Sequence, residues 1–545
     1  MLRGVSVIAT LLLPCLPLGA LRGESVPAAI DRLIAAGAGG PLAPAADDAE
    51  FLRRIHLDLA GNIPTSAQTH AFLGDKSADK RSRVIDQLLA SENFAEHWTD
   101  RLSVMLLERQ QLSQIPDDEW RAYLKNNLRG QPRWNVLVGE MIAGTGKGES
   151  RAAMRFLGKG NHHRLTEDIA RLFLGRDLEC ARCHDHPSVD DWTQAHYWGL
   201  YAYLNQTRLA THSGEKRPYF VENLATRKVE FQSVFFEDKE DTGPRLPDGK
   251  EVLIPKFEEN QGFEKPAADG LPAVPIFRPR ELLARDLASG QNSLFVRNSV
   301  NRFWKLMMGR GFWMPLDQAH SENPPSHPDL LDLLERQFVA QQFDLKWLLR
   351  QIALSASYQR SSRLPPGEKE TEPADYRVAC LKGLTPEQLL HAILRATGNE
   401  DVRTRKSTSK ETFDRRGYFT GTNSKLPTAY SDIRTIFAET FGQPPGVAED
   451  DFAPGLNKAL FLMNDRLILH WLQPREQNLA SRLARMESPD AIAKELYCAV
   501  LCRLPEEDER EELSAYLETH HERRTAAVVD LIWALLTSTE FRLNH

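Results

Sequence analysis

Apolar residues recur at spacings of three and four along most of the chain, and Gly, Pro and Ser/Thr/Asp punctuate the runs. That pattern predicts short amphipathic helices with marked starts and stops. Phe51, Ile55 and Leu59 define one apolar face of a helix that stops at Gly61–Asn62. Pro64–Thr65–Ser66 opens the next. Val84, Leu88 and Leu89 mark a helix ending near Ser91, and Trp98, Leu102 and Met105 mark another. Leu294–Met308 is closed by Gly309. Asp344 caps Asp344–Ser357, and Thr385–Pro386–Glu387–Gln388 combines a cap, a first-turn proline and the returning Gln of a capping box.

Between the helical stretches the pattern changes. Glu230–Phe236 is rich in β-formers, Pro247–Asp248–Gly249 signals a turn, and Glu251–Ile254 is expected to return as the second strand. Pro266–Pro279 reads as a linker, and residues 401–430 as an exposed polar loop. The expected fold is mainly α, with two helical lobes joined by a small β-containing segment. The boundaries are a signal peptide at 1–20, a helical domain at 28–212, a β-containing insert and linker at 213–278, and a helical C-terminal domain at 279–545.

Composition narrows the function classes. Hydrophobic residues make up 41% of 545, enough to bury real cores. Lys+Arg 68 against Asp+Glu 75 gives a net charge of −7, which argues against a nucleic-acid binder. Six cysteines in so long a chain exclude a small disulfide scaffold. At the N-terminus, Arg3 precedes the apolar run Val5–Leu18, broken by Pro14 and Pro17, with Gly19 and Ala20 at a peptidase-compatible position. This reads as an export signal cleaved after Ala20. Cys15 follows Pro14, a poor fit to a lipoprotein box. No other apolar stretch approaches the roughly 20 residues of a membrane span. The expectation is a soluble mature chain in the periplasm or cell envelope, with no transmembrane span.

The one strong chemical motif is Cys180-Ala181-Arg182-Cys183-His184. In an exported protein, Cys-x-x-Cys-His is the attachment pattern of c-type haem. Two thiols three positions apart each reach one haem vinyl, and the adjacent imidazole reaches the iron. Two other readings stay open: a Cys180–Cys183 disulfide or dithiol, and a zinc site of Cys180, Cys183, His184 and His186. With haem, His184 is the proximal ligand. The first Met after it is Met307, far downstream, so the sixth-ligand candidates are His186, His196, His212, His162, His163 and Met154, or the iron is five-coordinate. The motif is expected on a partly exposed loop at a helix end, because Gly175 and Asp177 break the Ile169–Leu174 helix. Thr193 caps a following helix carrying Tyr197, Leu200, Tyr201 and Leu204 on one face.

These residues resemble a known family. Arg53-Arg54-Ile55-His56-Leu57-Asp58-Leu59-Ala60-Gly61, Leu88-Leu89-Ala90-Ser91 and Cys180–Pro187 with Trp192-Thr193-Gln194 are similar to the first domain of the planctomycete-type exported proteins of uncharacterised function, often called cytochrome-associated. Asn301-Arg302-Phe303-Trp304, Gly309-Arg310-Gly311, Asn323–Pro328, Phe441-Gly442-Gln443-Pro444-Pro445 and Asp530–Leu536 resemble its second domain. The resemblance implies kinship with companions of exported cytochrome-like domains, and no established activity. Many relatives carry cysteines where this chain has Gly446–Asp450, and an Asp-Asp-Phe where it has Asp317-Gln318-Ala319, so neither feature transfers.

Other residues admit a structural reading first. Ser326 is expected to cap a helix with Pro328 in its first turn, leaving a ligand role for His327 as the lesser alternative. Arg302 and Arg310 belong to a structural network before a propionate clamp, and Asp58 to a turn-stabilising hydrogen bond before a base. The loop Gly144–Ser150 lacks the spacing of a phosphate loop. Cys498 and Cys502, at i and i+4 on one helical face, are expected to be buried, reduced thiols. No hydrolase motif is present. Two functions follow. One is a haem-bearing electron-transfer protein, or an enzyme using that haem, with an exported redox partner. The other is a non-redox envelope module, an interaction or carbohydrate-related protein with an envelope partner, in which the Cys-x-x-Cys-His segment is structural or no cofactor is held.

Overall fold

Local capping residues set where the helices begin in this computed structural model. It describes residues 23–112, 114–144, 150–212, 215–258, 261–268, 271–406, 413–448 and 455–545; the expected export signal and residues 145–149 of the glycine loop lie outside them. Ser25 caps α1 (Val26–Gly37), Asp47 caps α2 (Asp48–Ala60) and Thr65 starts α3 (Ser66–Gly74) with a capping box to Gln68. Then come α4 (Lys80–Leu89), α5 (Glu92–Leu107) with Ser91 as its cap, α6 (Asp117–Arg129) and α7 (Trp134–Ala143). Each cap gives an otherwise orphaned helical N–H an acceptor.

The helix α2 departs from the one-faced reading. Every residue from Phe51 to Ala60 is buried, including Arg53, Arg54, His56 and Asp58. Their partners come from far along the chain. Arg53 donates to the carbonyls of Phe541 (2.7 Å) and Leu543 (3.2 Å), and Arg54 to those of Tyr358 (2.7 Å) and Arg360 (2.8 Å). Asp58 accepts from Lys382 (2.6 Å), Asn544 (2.7 Å) and the Tyr358 hydroxyl (2.8 Å). It is a junction hub and not the turn stabiliser expected. A polar residue survives burial only when hydrogen-bonded, and these bonds permit a charged helix at the centre of the molecule.

The chain continues through α8 (His162–Ile169), α9 (Gln194–Leu204) and three small antiparallel ladders. These pair β1 (Thr207–His212) with β2 (Glu215–Glu222), β3 (Val229–Gln232) with β4 (Lys239–Thr242), and β5 (Phe263–Lys265) with β6 (Val274–Pro275). The expected hairpin is displaced. Its first strand ends at Gln232, residues 233–236 turn, and the return is Lys239–Thr242, while residues 251–254 form no strand. Val234, Phe235 and Phe236 favour strands only where a neighbour covers them, and here they are 67%, 70% and 70% exposed. The expected linker also carries β6.

Then follow α10 (Pro279–Leu287), α11 (Ser293–Met308), α12 (Pro328–Ala340), α13 (Leu345–Leu354), β7 (Lys382–Gly383), α14 (Pro386–Thr397), α15 (Tyr430–Phe441), α16 (Pro489–Val500) and β8 (Leu543–Asn544). The expected caps at Asp344 and Thr385 hold. At α12 the capping position falls on His327 and not Ser326. Residues 401–430 are less loop-like than expected, since Arg415–Thr420 is helical. The protein is thus mainly α with small two-stranded sheets. One apolar core runs from α1 to Tyr376 and takes in α10–α13; a second gathers Leu57, Ile63 and the helices from α14 onward. β7 pairs with β8, which brings the C-terminal residues beside α2 at the junction. Among the described residues no helix is long and apolar enough to cross a membrane.

Candidate functional site

Gly175 ends the helical run that continues α8 through a single wide turn at Ala170–Leu174. Its φ is +70°, and a Cβ there would stand 2.8 Å from Asn298 Oδ1, so only glycine suits the position. The chain then lies against residues 317–319: the Asp177 N–H donates to the Asp317 carbonyl (2.9 Å) and the Ala319 N–H to that of Gly175 (2.8 Å). This pairing holds the entry to the Cys180 turn in place.

Cys180–Arg182 form one tight 3-10 turn, closed by the Cys183 N–H on the Cys180 carbonyl (3.2 Å). Leu178 and Ala181 are fully buried and anchor it, while both Cys180 and Cys183 are exposed, free thiols. The turn sets the two exposed thiols three positions apart, at its start and immediately after its end. The expected partly exposed loop beyond a helix end is what the chain forms.

Neighbouring elements grip this turn through its backbone. The Arg182 carbonyl accepts from Trp198 Nε1 (3.2 Å) and Gln194 Nε2 (3.3 Å), both on α9, and Gln194 Nε2 also reaches the Gln232 carbonyl (3.1 Å) at the end of β3. The Cys183 carbonyl accepts from the Val234 N–H (3.0 Å). Asp185 Oδ1 accepts the first N–H of α9, from Gln194 (2.6 Å).

His184 is half-buried, with its ring 5.2 Å from that of Phe235. Its Nδ1 lies 2.7 Å from the Asp185 carbonyl. A carbonyl only accepts, so Nδ1 is the donor in this contact. Metal-ligating histidines are commonly held by a backbone carbonyl on the other nitrogen in this way.

The described sixth-ligand histidines each have one ring nitrogen bonded within the protein. His186 Nδ1 accepts from the Ser188 N–H (3.2 Å), and its ring sits edge-on to buried Trp192 at 5.1 Å. His162 Nε2 donates to the Thr207 carbonyl (2.6 Å). His163 bonds the Tyr197 hydroxyl (2.7 Å) and stacks on Tyr201 at 4.7 Å; burial holds it below the usual histidine range. His196 Nδ1 accepts from the Thr193 N–H (3.4 Å), Met154 is fully buried in the first core, and the side chain of His212 is outside the described residues. Among the described residues no three His, Cys, Asp or Glu side chains stand together so as to hold a metal ion. The alternative zinc set of Cys180, Cys183, His184 and His186 is therefore not assembled in this arrangement. His327 packs against Gly37 and Tyr376, and Arg302 donates to the Arg171 carbonyl (2.7 Å).

Sequence reasoning missed a concavity of about 790 Å³ at the junction of the two cores. Arg101, Lys305, Lys382, Lys458 and Arg542 line it, together with apolar side chains such as Leu381, Leu456 and Phe441. Its residues come from six separate stretches of the chain, so no local pattern announces it.

Fold and site together define a mainly α protein that presents a hydrogen-bonded Cys-x-x-Cys-His turn at its surface. Residues 29–209 match the family PSCyt2, a protein of unknown function (DUF1549), and residues 279–517 match PSD1, a protein of unknown function (DUF1553). The chain carries these two domains in that order, the planctomycete-type arrangement. No curated protein and no solved structure matches it.

Proposed function

We propose that this is an exported protein of the periplasm or cell envelope that carries a covalent c-type haem at Cys180, Cys183 and His184. Its role is electron transfer, or a haem-dependent reaction, with an exported redox or envelope partner. The observation that carries this reading is the conjunction of two exposed thiols three positions apart across a tight turn with an adjacent histidine whose Nδ1 lies 2.7 Å from the Asp185 carbonyl. A disulfide reading accounts for the thiols but leaves the orientation of His184 without a role.

Cys180 and Cys183 would hold the haem by adding their S–H bonds across its two vinyl groups, an addition that releases nothing and exchanges no electron. His184 would ligate the iron through Nε2, and the Nδ1 contact with the Asp185 carbonyl would fix the ring and raise its basicity. Bound there, the haem supplies one-electron chemistry. Each of His162, His163, His186 and His196 has one ring nitrogen bonded within the protein, so a second ligand from among them would have to use the other nitrogen.

The test is a visible spectrum of the mature protein made with haem-maturation machinery. A Soret band that survives acid–acetone extraction, and is lost in the Cys180→Ser/Cys183→Ser variant, is expected. A colourless protein would sink the reading and leave the non-redox envelope module.

A further inference from the structure

The turn between β3 and β4 displays Val234, Phe235 and Phe236 to solvent, at 67%, 70% and 70% exposure. Burying a side chain of this kind is favourable. Three consecutive ones left in water therefore call for a reason beyond folding, and rimmed apolar patches of this sort mark binding sites.

This tip is not a free loop. The Val234 N–H is bonded to the Cys183 carbonyl (3.0 Å). The Gln232 side-chain amide closes the turn on the carbonyls of Phe236 (3.1 Å) and Glu237 (3.0 Å). Gln194 ties Gln232 and Arg182 to one amide, and Phe231 at the base of the turn stacks on Trp198 with ring centroids 6.1 Å apart. The apolar tip is thereby held against the Cys180–His184 turn, with the Phe235 ring 5.2 Å from the imidazole of His184.

We infer that the Val234–Phe236 tip is the apolar cover of the porphyrin tethered at Cys180 and Cys183, packing against it on the His184 side. The inference rests on the haem reading above and adds the residues that shield the group. The occupant is argued from continuity: the patch begins one hydrogen bond from Cys183, and its nearest ring neighbour is the ligating histidine. A porphyrin is a flat apolar disc that two thioethers alone would leave open to water. An apolar shell controls solvent access and local dielectric, and through them the redox potential.

The full-length chain, exported with haem-maturation machinery, is compared with the triple variant Val234→Ser/Phe235→Ser/Phe236→Ser and with Phe235→Leu/Phe236→Leu. Covalent haem per chain is read by mass and by haem staining of denaturing gels. Shielding is read as the rate at which dilute peroxide bleaches the Soret band, and as the midpoint potential. The expected result is equal covalent haem in all three, bleaching about tenfold faster with a lower potential in the serine variant, and wild-type behaviour in the leucine variant. Equal haem with an unchanged bleaching rate and potential overturns the inference and leaves the haem reading standing. So does equal haem where the serine variant only loses self-association or capture of a protein partner. Absence of covalent haem from all three overturns the haem reading itself, and this inference with it. Because the substituted side chains are exposed, the fold is expected to survive, and an unchanged circular dichroism spectrum verifies it.

Discussion

Replacing Asp58 by Ala should separate the two cores more effectively than any single apolar truncation. The Asp58 carboxylate is buried on α2 and accepts from Lys382 of β7, Asn544 of β8 and the Tyr358 hydroxyl. Removing one partner of a buried ion pair costs about 3–5 kcal/mol. The Lys382 side chain retains 18% exposure and a bond to the Met307 carbonyl (2.7 Å), which puts this loss near about 3 kcal/mol. The fully buried Tyr358 hydroxyl then lacks an acceptor, at about 1–3 kcal/mol more. Because the three partners share one carboxylate the losses do not add fully, and roughly 4–5 kcal/mol is expected. Asp58→Asn keeps the shape and an acceptor oxygen and should lose about half as much. The assay is urea unfolding at pH 7.5, followed by tryptophan fluorescence and by limited proteolysis of the C-terminal residues. A cycle with Lys382→Met isolates the ion pair, with a coupling of about 2–3 kcal/mol expected. An Asp58→Ala protein within about 1 kcal/mol of wild type, or a coupling indistinguishable from zero, would refute the hub.

Three further outcomes are expected. Acid should destabilise the protein: burial first, then nearby arginines, pushes His56, His97 and His391 down to about 3 from an ordinary 6.5. These groups stay neutral when folded and protonate when unfolded, so their contribution is complete above about pH 6.5. It falls by about 1.4 kcal/mol per group per pH unit down to about pH 3. Urea midpoints at pH 7.5 and 5.0 measure it; equal midpoints would contradict it. Gly61→Ala should cost roughly 2–5 kcal/mol, because the residue sits at φ +63° and its new Cβ would meet His97 Nδ1 at 2.3 Å; a denaturation curve superimposable on wild type argues otherwise. In the apo chain, iodoacetamide should modify exposed Cys180 and Cys183 within minutes. Cys498, buried and pushed up to about 12, and Cys502 should react only after unfolding. A Cys498–Cys502 cross-linked peptide in the mass map refutes that.

Much of the local architecture was legible in the chain. The helix start at Thr65, the caps at Asp344 and Thr385 and the stops at Gly61 and Gly309 are decided by hydrogen bonds within three or four residues, which is why they are legible locally. The Cys-x-x-Cys-His turn follows from the same short range. Cys502 marks a limit of that reach. Both thiols are buried as expected, but α16 ends at Val500 and Cys502 lies past it at φ +63°, because the end of a helix depends on what its last turn meets.

What only the tertiary structure decided is whatever needs a partner from a distant part of the chain. Periodicity marks Phe51, Ile55 and Leu59 as the buried face of α2, yet the whole helix is buried, because carbonyls near residues 358 and 541 and the side chains of Lys382 and Asn544 reach back to satisfy Arg53, Arg54 and Asp58. Strand propensity places Val234–Phe236 in a sheet; the fold leaves them uncovered at a turn and bonds that turn to Cys183. Residue types and spacing carry local conformation and the donor set. Burial, and with it the electrostatic setting of each donor, belongs to contacts hundreds of residues apart, whose geometry exists only once the chain has closed on itself.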